Sequence, residues 1–216
     1  MCWISLARDM TISVVVWYIA RFLIVASGEN SVENIPAIPR LHCFAGETIH
    51  SSRYRSGATY SGKNVLMVGS GNSGMEIAYD LASHGASTSI VIRSPVHVMT
   101  KEIIQLGMTL VLGNISKIKG NIVEFEGMTE STFDAIVFAT GYKTNANTWL
   151  KNGESMLNND GLPKKEFPNH WKDANGLYCV GLAKRGFAGI AMDAKNIAND
   201  ILSNYHAKTC IRMVFF

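Results

Sequence analysis

The sequence lacks any arrangement of cysteines that would bind zinc or form a redox pair. Its four cysteines, Cys2, Cys43, Cys179 and Cys210, are far apart, with no CxxC and no histidine at metal-ligand spacing. The sequence also lacks a strong excess of positive or negative charge, since the formal net charge is +3 and the basic residues form no stripe. We therefore predict unpaired thiols in a reducing, cytoplasmic compartment, no metal site and no nucleic-acid partner.

One run of apolar residues has nearly the length of a membrane span. It is TISVVVWYIARFLIVASG at 11–28, and Arg21 interrupts it. An arginine in the middle of a bilayer is costly, whereas 12–18 and 21–26 have the length and the β-branched and aromatic content of strands. We predict two buried strands. A signal sequence or a membrane anchor is the weaker alternative, and no small-residue cleavage site follows the run.

The stretch VLMVGSGNSGMEIAYDL at 65–81 joins a strand, a glycine-rich turn and a helix. A strand is predicted over 63–68, where the continuous apolar run 65–68 indicates a parallel sheet that is covered on both faces. The turn matches GxGxxG, and a helix is predicted over 75–84 with Gly85 as its C-terminal cap. In this context the motif indicates a dinucleotide site, and a glycine-rich turn without a ligand is the alternative.

A dinucleotide site requires glycine at each of the three fixed positions of GxGxxG for a different physical reason. Gly69 allows the tight turn, Gly71 lets a pyrophosphate approach the backbone, and Gly74 lets the helix pack closely on the strand. The N–H groups and the dipole of the helix N-terminus provide the anion site.

The end of the next strand, predicted at 88–92, selects the nucleotide. NAD and FAD sites place an acid about 20 residues past the glycines, where it accepts hydrogen bonds from a ribose. Here that place holds Arg93 and Ser94, and no acid occurs from 81 to 101. A guanidinium and a hydroxyl suit a 2′-phosphate, so we predict NADPH. The alternative is that Arg93 is a solvated strand-end residue.

A second motif precedes the glycine turn. Phe44, Gly46, His50 and Tyr54 match FxGxxxHxxxY, and the chain here resembles the flavin-containing monooxygenases, of which this motif is the identifying one. FDAIVFATGY at 133–142 resembles the strand of that family which lies near the flavin and the nicotinamide, and IVASG at 24–28 resembles its upstream partner.

Within that family the sequence is most similar to the plant YUCCA group, the indole-3-pyruvate monooxygenases of auxin synthesis. The resemblance is carried by ASGEN at 26–30, GNSGMEIAYDL at 71–81, VIRSPVHV at 91–98, ATGYKTN at 139–145 and GLYCVGLAKRGFAGIAMDAKNIANDI at 176–201. It implies an NADPH- and O2-dependent flavoprotein that oxidatively decarboxylates indole-3-pyruvate, or a similar 2-oxo acid, to indole-3-acetate.

The resemblance also implies a set of cofactor-binding residues and no catalytic side chain, because the chemistry belongs to the cofactor. His50 and Tyr54 would lie in the motif that joins the two nucleotide lobes; without the resemblance they read as a buried structural pair. Residues 184–189 would be either a loop before a core helix at 190–201 or a turn facing a flavin. The predicted cofactor-binding residues are Gly69, Ser70, Gly71, Asn72, Ser73, Gly74, Arg93, Ser94, His50, Tyr54, Thr140 and Gly141.

Two features depart from the family. FAD is expected from the resemblance, but the sequence holds one GxGxxG, and no glycine precedes Gly28. Between 99 and 115 a short connection replaces a long segment on the substrate side. The chain therefore resembles a shortened member, and a non-catalytic NADP-binding remnant or a partner of a full-length relative is the alternative function. A short-chain reductase is the weakest alternative, since no YxxxK follows the turn.

The predicted fold is α/β. A Rossmann-like NADPH-binding domain with a parallel sheet, centred on 57–137, is accompanied by remnants of a second, FAD-type lobe. The expected regions are 1–54 as a partial flavin-lobe segment and linker, 55–138 as the NADPH domain and 139–216 as a C-terminal flavin-lobe segment. Gly120 and Asn121 are expected to turn a hairpin between 115–119 and 122–125.

Overall fold

The structure is a computed structural model that describes residues 2–8, 15–92, 109–127, 129–182 and 185–206. The chain divides into two compact units. Residues 33–141 form the middle unit, and the terminal unit combines Met1–Val32 with Tyr142–Phe216.

The described residues form fourteen strands and three α-helices, joined by short 3-10 turns. In chain order they are β1 Trp3–Arg8, β2 Val15–Ala20, β3 Leu23–Val25, β4 Val32–Glu33, β5 Glu47–His50, β6 Asn64–Val68, α1 Asn72–Ser83, β7 Ser87–Ile92, β8 Thr109–Leu112, β9 Ile115–Lys119, β10 Ile122–Phe125, β11 Glu130–Thr132, β12 Ala135–Phe138, β13 Tyr142–Lys143, α2 Ala146–Trp149, β14 Leu177–Cys179 and α3 Gly186–His206.

The middle unit is built on a parallel five-stranded sheet with the strand order β5-β12-β6-β7-β8. The inner strands β6 and β12 are buried along almost their whole length. Their apolar residues face two separate clusters, one beneath α1 and one beneath the β9–β10 hairpin. Both faces of the sheet are therefore covered, which explains why these strands are continuous apolar runs. The predicted fold class is confirmed.

Helix α1 begins at Asn72, three residues earlier than predicted, because the end of the glycine turn already has helical geometry. Its end is as expected: Gly85 has φ of 84°, and the Ala86 N–H donates to the Leu81 carbonyl at 3.1 Å.

The predicted hairpin is confirmed, since β9 and β10 pair antiparallel on either side of Gly120. A third strand, β11, extends this sheet and was not predicted.

Residues 33–54, which the sequence assigned to the first region, belong to the middle unit. The reason is β5, which pairs in parallel with β12 from Glu47 opposite Ala135 to His50 opposite Phe138. Strand β5 therefore forms one edge of the parallel sheet.

In the terminal unit β3 pairs in parallel with β14, and Val25, Leu177 and Cys179 are buried in a shared apolar cluster. The two strands predicted in the N-terminal apolar run exist as β2 and β3, while residues 12–14 lie outside the described residues. The predicted burial is wrong for β2: among the described strands it pairs with β1 alone, and all six of its side chains are exposed, Trp17 to 66%. Among the described helices, none combines the length and the apolar content needed to cross a membrane.

Candidate functional site

The glycine turn lies where β6 leaves the sheet, between the ends of β12 and β7. Gly69 has φ of 110°, and a Cβ added there would lie 2.5 Å from the Ala139 carbonyl oxygen. A Cβ added to Gly74 would overlap the Gly69 carbonyl oxygen. The turn, the first turn of α1 and the end of β12 thus pack backbone to backbone, which only glycine permits.

Gly71 differs from these two glycines, because a Cβ added there would meet no atom within 4 Å. It is exposed and is the N-cap residue of α1, with no side chain capping the helix and no acid in the first turn. The first N–H groups of a helix have no partner within the helix. Together with the helix dipole, they give this open turn the properties of a phosphate site.

The side chains predicted to choose the nucleotide, Arg93 and Ser94, lie outside the described residues. Strand β7 is described as far as Ile92, at the carboxyl edge of the sheet beside β6. The described end of β7 therefore lies at the edge of the sheet where a dinucleotide's adenosine ribose would lie.

Thr140 and Gly141 follow β12 at the same edge of the sheet. The Thr140 hydroxyl donates to the Asn34 carbonyl at 2.6 Å, and the Asn34 side-chain amide donates to the Thr140 carbonyl at 3.3 Å. The Asn34 N–H donates to the Gly141 carbonyl at 3.0 Å. Thr140 and Gly141 are therefore brought beside the glycine turn, and Asn34 is a partner that no sequence motif indicated.

His50, at the end of β5, is fully buried. Its Nε2 donates to the Gly141 carbonyl at 2.9 Å, and its Nδ1 accepts from the Ser52 N–H at 3.2 Å. The Ser52 hydroxyl donates to Glu33 at 2.6 Å, and this bond lowers the pKa of the Glu33 carboxyl against the opposing effect of burial, with a smaller lowering effect from Arg53. His50 thus contacts the predicted site through the Gly141 carbonyl.

Tyr54 is bonded to the middle of α1 rather than to the glycine turn. Its hydroxyl donates to Asp80 Oδ2 at 2.6 Å, and the same oxygen accepts from the Gly57 N–H at 2.6 Å. The Tyr54 bond is the largest influence on the Asp80 carboxyl and lowers its pKa. Burial, followed by the bond to Asp80, raises the pKa of Tyr54. Asp80 was not singled out from the sequence.

We expect Tyr54→Phe to reduce the free energy of unfolding by about 1 kcal/mol at pH 7, since the bond is charge-assisted but the Asp80 side chain is partly exposed. Because the folded-state pKa of Asp80 is lowered, the loss should be full above about pH 4, the carboxyl's unfolded pKa, and should shrink as the pH falls further. Urea unfolding across this pH range is the measurement. Tyr79→Phe, the same change at an exposed tyrosine of α1, should have no effect; equal losses would contradict the assignment.

The sequence predicts that residues 184–189, between β14 and α3, form either a loop or a turn facing a flavin. A small cavity at the α3 N-terminus is lined by Glu29, Arg185 and Asp193, together with three glycines and Ile190. Asp193 Oδ1 is hydrogen-bonded to His170 Nε2 at 2.9 Å, and the Arg185 guanidinium lies 4.1 Å from the centroid of the Phe167 ring. The lining therefore carries charges of both signs, and the flavin-facing turn stays a prediction. Lys184 lies outside the described residues.

Cys2, Cys43 and Cys179 form no disulfide within the described residues, and burial raises the pKa of the Cys179 thiol to about 12. Cys210 lies outside this part of the chain. Across the ranges that the structure describes, no group of three or more His, Cys, Asp or Glu side chains has the arrangement of a metal site.

Comparison with known proteins gives a family match and a group of relatives. Residues 15–181 match the model of the pyridine nucleotide-disulphide oxidoreductase family. The chain is 38% identical to the probable indole-3-pyruvate monooxygenase YUCCA10 of Arabidopsis thaliana over 86% of this chain and 65% of that protein. It is 36% identical to the indole-3-pyruvate monooxygenase YUCCA4 of Oryza sativa subsp. japonica, over 88% and 58%. The resemblance to the YUCCA group is confirmed, and the chain spans about three fifths of these relatives' length.

Solved structures share the fold. Tmm from Pelagibacter sp. strain HTCC7211 superposes with a TM-score of 0.73 at 23% identity, over 99% of this chain and 47% of that one. A flavin-containing monooxygenase from Stenotrophomonas maltophilia gives a TM-score of 0.74 at 20% identity, over 87% and 64%.

Proposed function

Because the chain belongs to the pyridine nucleotide-disulphide oxidoreductase family, we propose that its middle unit binds NADPH at the glycine turn and serves a YUCCA-type monooxygenase. The observation that carries the proposal is the contrast among the three glycines. Gly69 and Gly74 are closed in by backbone, while Gly71 opens to solvent at the N-terminus of α1. This is the arrangement that a bound pyrophosphate requires.

The proposed reaction converts indole-3-pyruvate, O2, NADPH and a proton into indole-3-acetate, CO2, water and NADP+; a similar 2-oxo acid would give the acid that is one carbon shorter. Two relatives named for indole-3-pyruvate support this substrate class. The chain's own residues contribute nucleotide binding and orientation, and no side chain of the middle unit is assigned a catalytic proton transfer. A flavin, when bound, would accept the hydride and activate oxygen, but the sequence holds no second GxGxxG for the flavin's diphosphate.

The second candidate is a non-catalytic NADP-binding remnant, or a partner of a full-length relative. The single GxGxxG favours it. Both candidates require NADPH binding in a cytoplasmic protein, and they differ in turnover.

The preference for NADPH over NADH tests the NADPH binding that both candidates require. We expect NADPH to bind more tightly than NADH by about 1.5 to 3 kcal/mol, because Arg93 would form a charge-assisted bond to the 2′-phosphate. Arg93→Ala should remove most of this preference while leaving NADH affinity unchanged. Fluorescence titration of both nucleotides against both proteins is the measurement. Equal affinities in the wild type would refute the assignment of NADPH.

A further inference from the structure

The chain crosses between its two units after Val32 and after Gly141. On the middle-unit side, the residues beside the two crossings are bonded to each other. Asn34 forms three hydrogen bonds with residues 140 and 141. Two of them join Asn34 to Thr140, which is 106 positions away in the sequence, and the third joins the Asn34 N–H to the Gly141 carbonyl. Segment 140–141 is therefore held from one side by Asn34.

The Gly141 carbonyl is also held by His50. It accepts from the Asn34 N–H at 3.0 Å and from the His50 Nε2 at 2.9 Å. A carbonyl oxygen has two lone pairs, so two donors fix its direction. The Ser52 N–H donates to His50 Nδ1 and thereby sets the tautomer in which Nε2 carries the hydrogen.

Segment 140–141 borders the nucleotide crevice. It follows β12, and Ala139 contacts Gly69 and Gly74 of the glycine turn. In a dinucleotide site whose pyrophosphate lies at this turn, the adenosine extends towards the end of β7, so the other nucleoside extends towards β12. A Cβ added to Gly141 would meet no atom within 4 Å, so this backbone faces open space.

We propose that His50 is a positioning residue for the nicotinamide half of NADPH. It holds the Gly141 carbonyl together with Asn34 and so orients segment 140–141 against the nicotinamide nucleoside. His50 does not touch the nucleotide, because it is fully buried and both of its ring nitrogens have partners in the protein. The inference rests on the proposed binding of NADPH.

Two substitutions at His50 separate its two bonds. His50→Asn keeps an acceptor for the Ser52 N–H, since asparagine is a preferred N-cap residue, but its side chain is too short to reach Gly141. His50→Gln is long enough to place an amide donor near the Gly141 carbonyl. The probes are NADPH and 2′,5′-ADP, which shares the adenosine half and lacks the nicotinamide. Circular dichroism and the melting temperature establish that each variant is folded.

We expect His50→Asn to weaken NADPH binding about tenfold, the equivalent of one good hydrogen bond, and to leave 2′,5′-ADP binding within about twofold. His50→Gln should restore most of the NADPH affinity. Thr140→Val, which removes the hydroxyl bond to Asn34 at constant shape, should show the same selective loss.

Three outcomes would overturn the inference. A folded His50→Asn variant that binds NADPH like the wild type would show that the Gly141 bond is irrelevant to binding. Equal losses for NADPH and 2′,5′-ADP would show a general effect on the fold. If the wild type binds NADPH no better than 2′,5′-ADP, the nicotinamide half makes no contact to be positioned. Failure of the wild type to bind either probe refutes the proposed function itself.

Discussion

Replacing Gly74 with alanine should unfold or severely destabilise the middle unit, by about 3 kcal/mol or more. The new Cβ would overlap the Gly69 carbonyl oxygen and would lie 3.3 Å from the Ala139 Cβ. Both obstacles are fixed by the sheet, since the Gly69 N–H donates to Val91 and the Ala139 N–H donates to Val68. The helix cannot retreat without leaving the core beneath α1. Urea unfolding followed by circular dichroism measures the loss.

Gly71→Ala is the matched control, since it makes the same chemical change two positions from Gly69 and three from Gly74. Its φ of −69° is open to any residue, and the added methyl group meets no atom. We expect a stability loss of about 1 kcal/mol from the poorer N-cap and a clear loss of NADPH affinity, because the methyl group would occupy the approach of the pyrophosphate. If Gly74→Ala is as stable as Gly71→Ala, the close packing of α1 on the turn is wrong.

The sequence predicted the parts of the fold that depend on neighbouring residues. Strand β6, the glycine turn, α1 and β7 are consecutive, and their apolar runs and the C-terminal glycine cap determine them locally. The β9–β10 hairpin is local in the same way, because Gly120 sits between two short apolar strands.

Features that depend on distant residues could not be predicted. Strand β5 was placed outside the NADPH domain because its short, polar sequence does not reveal that it pairs with β12. Burial of β2 was inferred from its apolar composition, but burial is a property of what covers a strand. Within the described residues β2 pairs with β1, and its side chains are exposed. Composition predicts a strand and leaves its partners open.

The residues of the candidate site show the same contrast between features set by neighbouring residues and features set by distant ones. The glycine turn was found because its spacing has a mechanism. The partners Asn34 and Asp80 were missed because their bonds join residues 106 and 26 positions apart, and neither residue type is unusual where it stands. His50 was found only through a family motif, and its role as a buried donor to a carbonyl was not visible in that motif.

The prediction with the largest functional effect concerns FAD binding and product formation. We predict that this chain of 216 residues binds NADPH but purifies without FAD and forms no indole-3-acetate when FAD, NADPH and indole-3-pyruvate are supplied. A flavin dinucleotide needs a helix N-terminus that neutralises its diphosphate and an acid on its ribose. The sequence has one glycine fingerprint, and the middle unit uses it. The cavity at the N-terminus of α3 has charges of both signs, from Glu29, Arg185 and Asp193, and no glycine fingerprint precedes this helix.

The absorption spectrum of the purified chain tests the first half of this prediction, because a protein that retains bound flavin is yellow. Product analysis tests the second half, with a full-length YUCCA relative as the positive control in the same assay. NADPH oxidation without product would fit loose flavin contact, since hydride transfer without water exclusion wastes the reductant. Indole-3-acetate at about 1 per second or faster, a rate ordinary for enzymes, would contradict the prediction. It would show that the chain holds the flavin without a second glycine fingerprint.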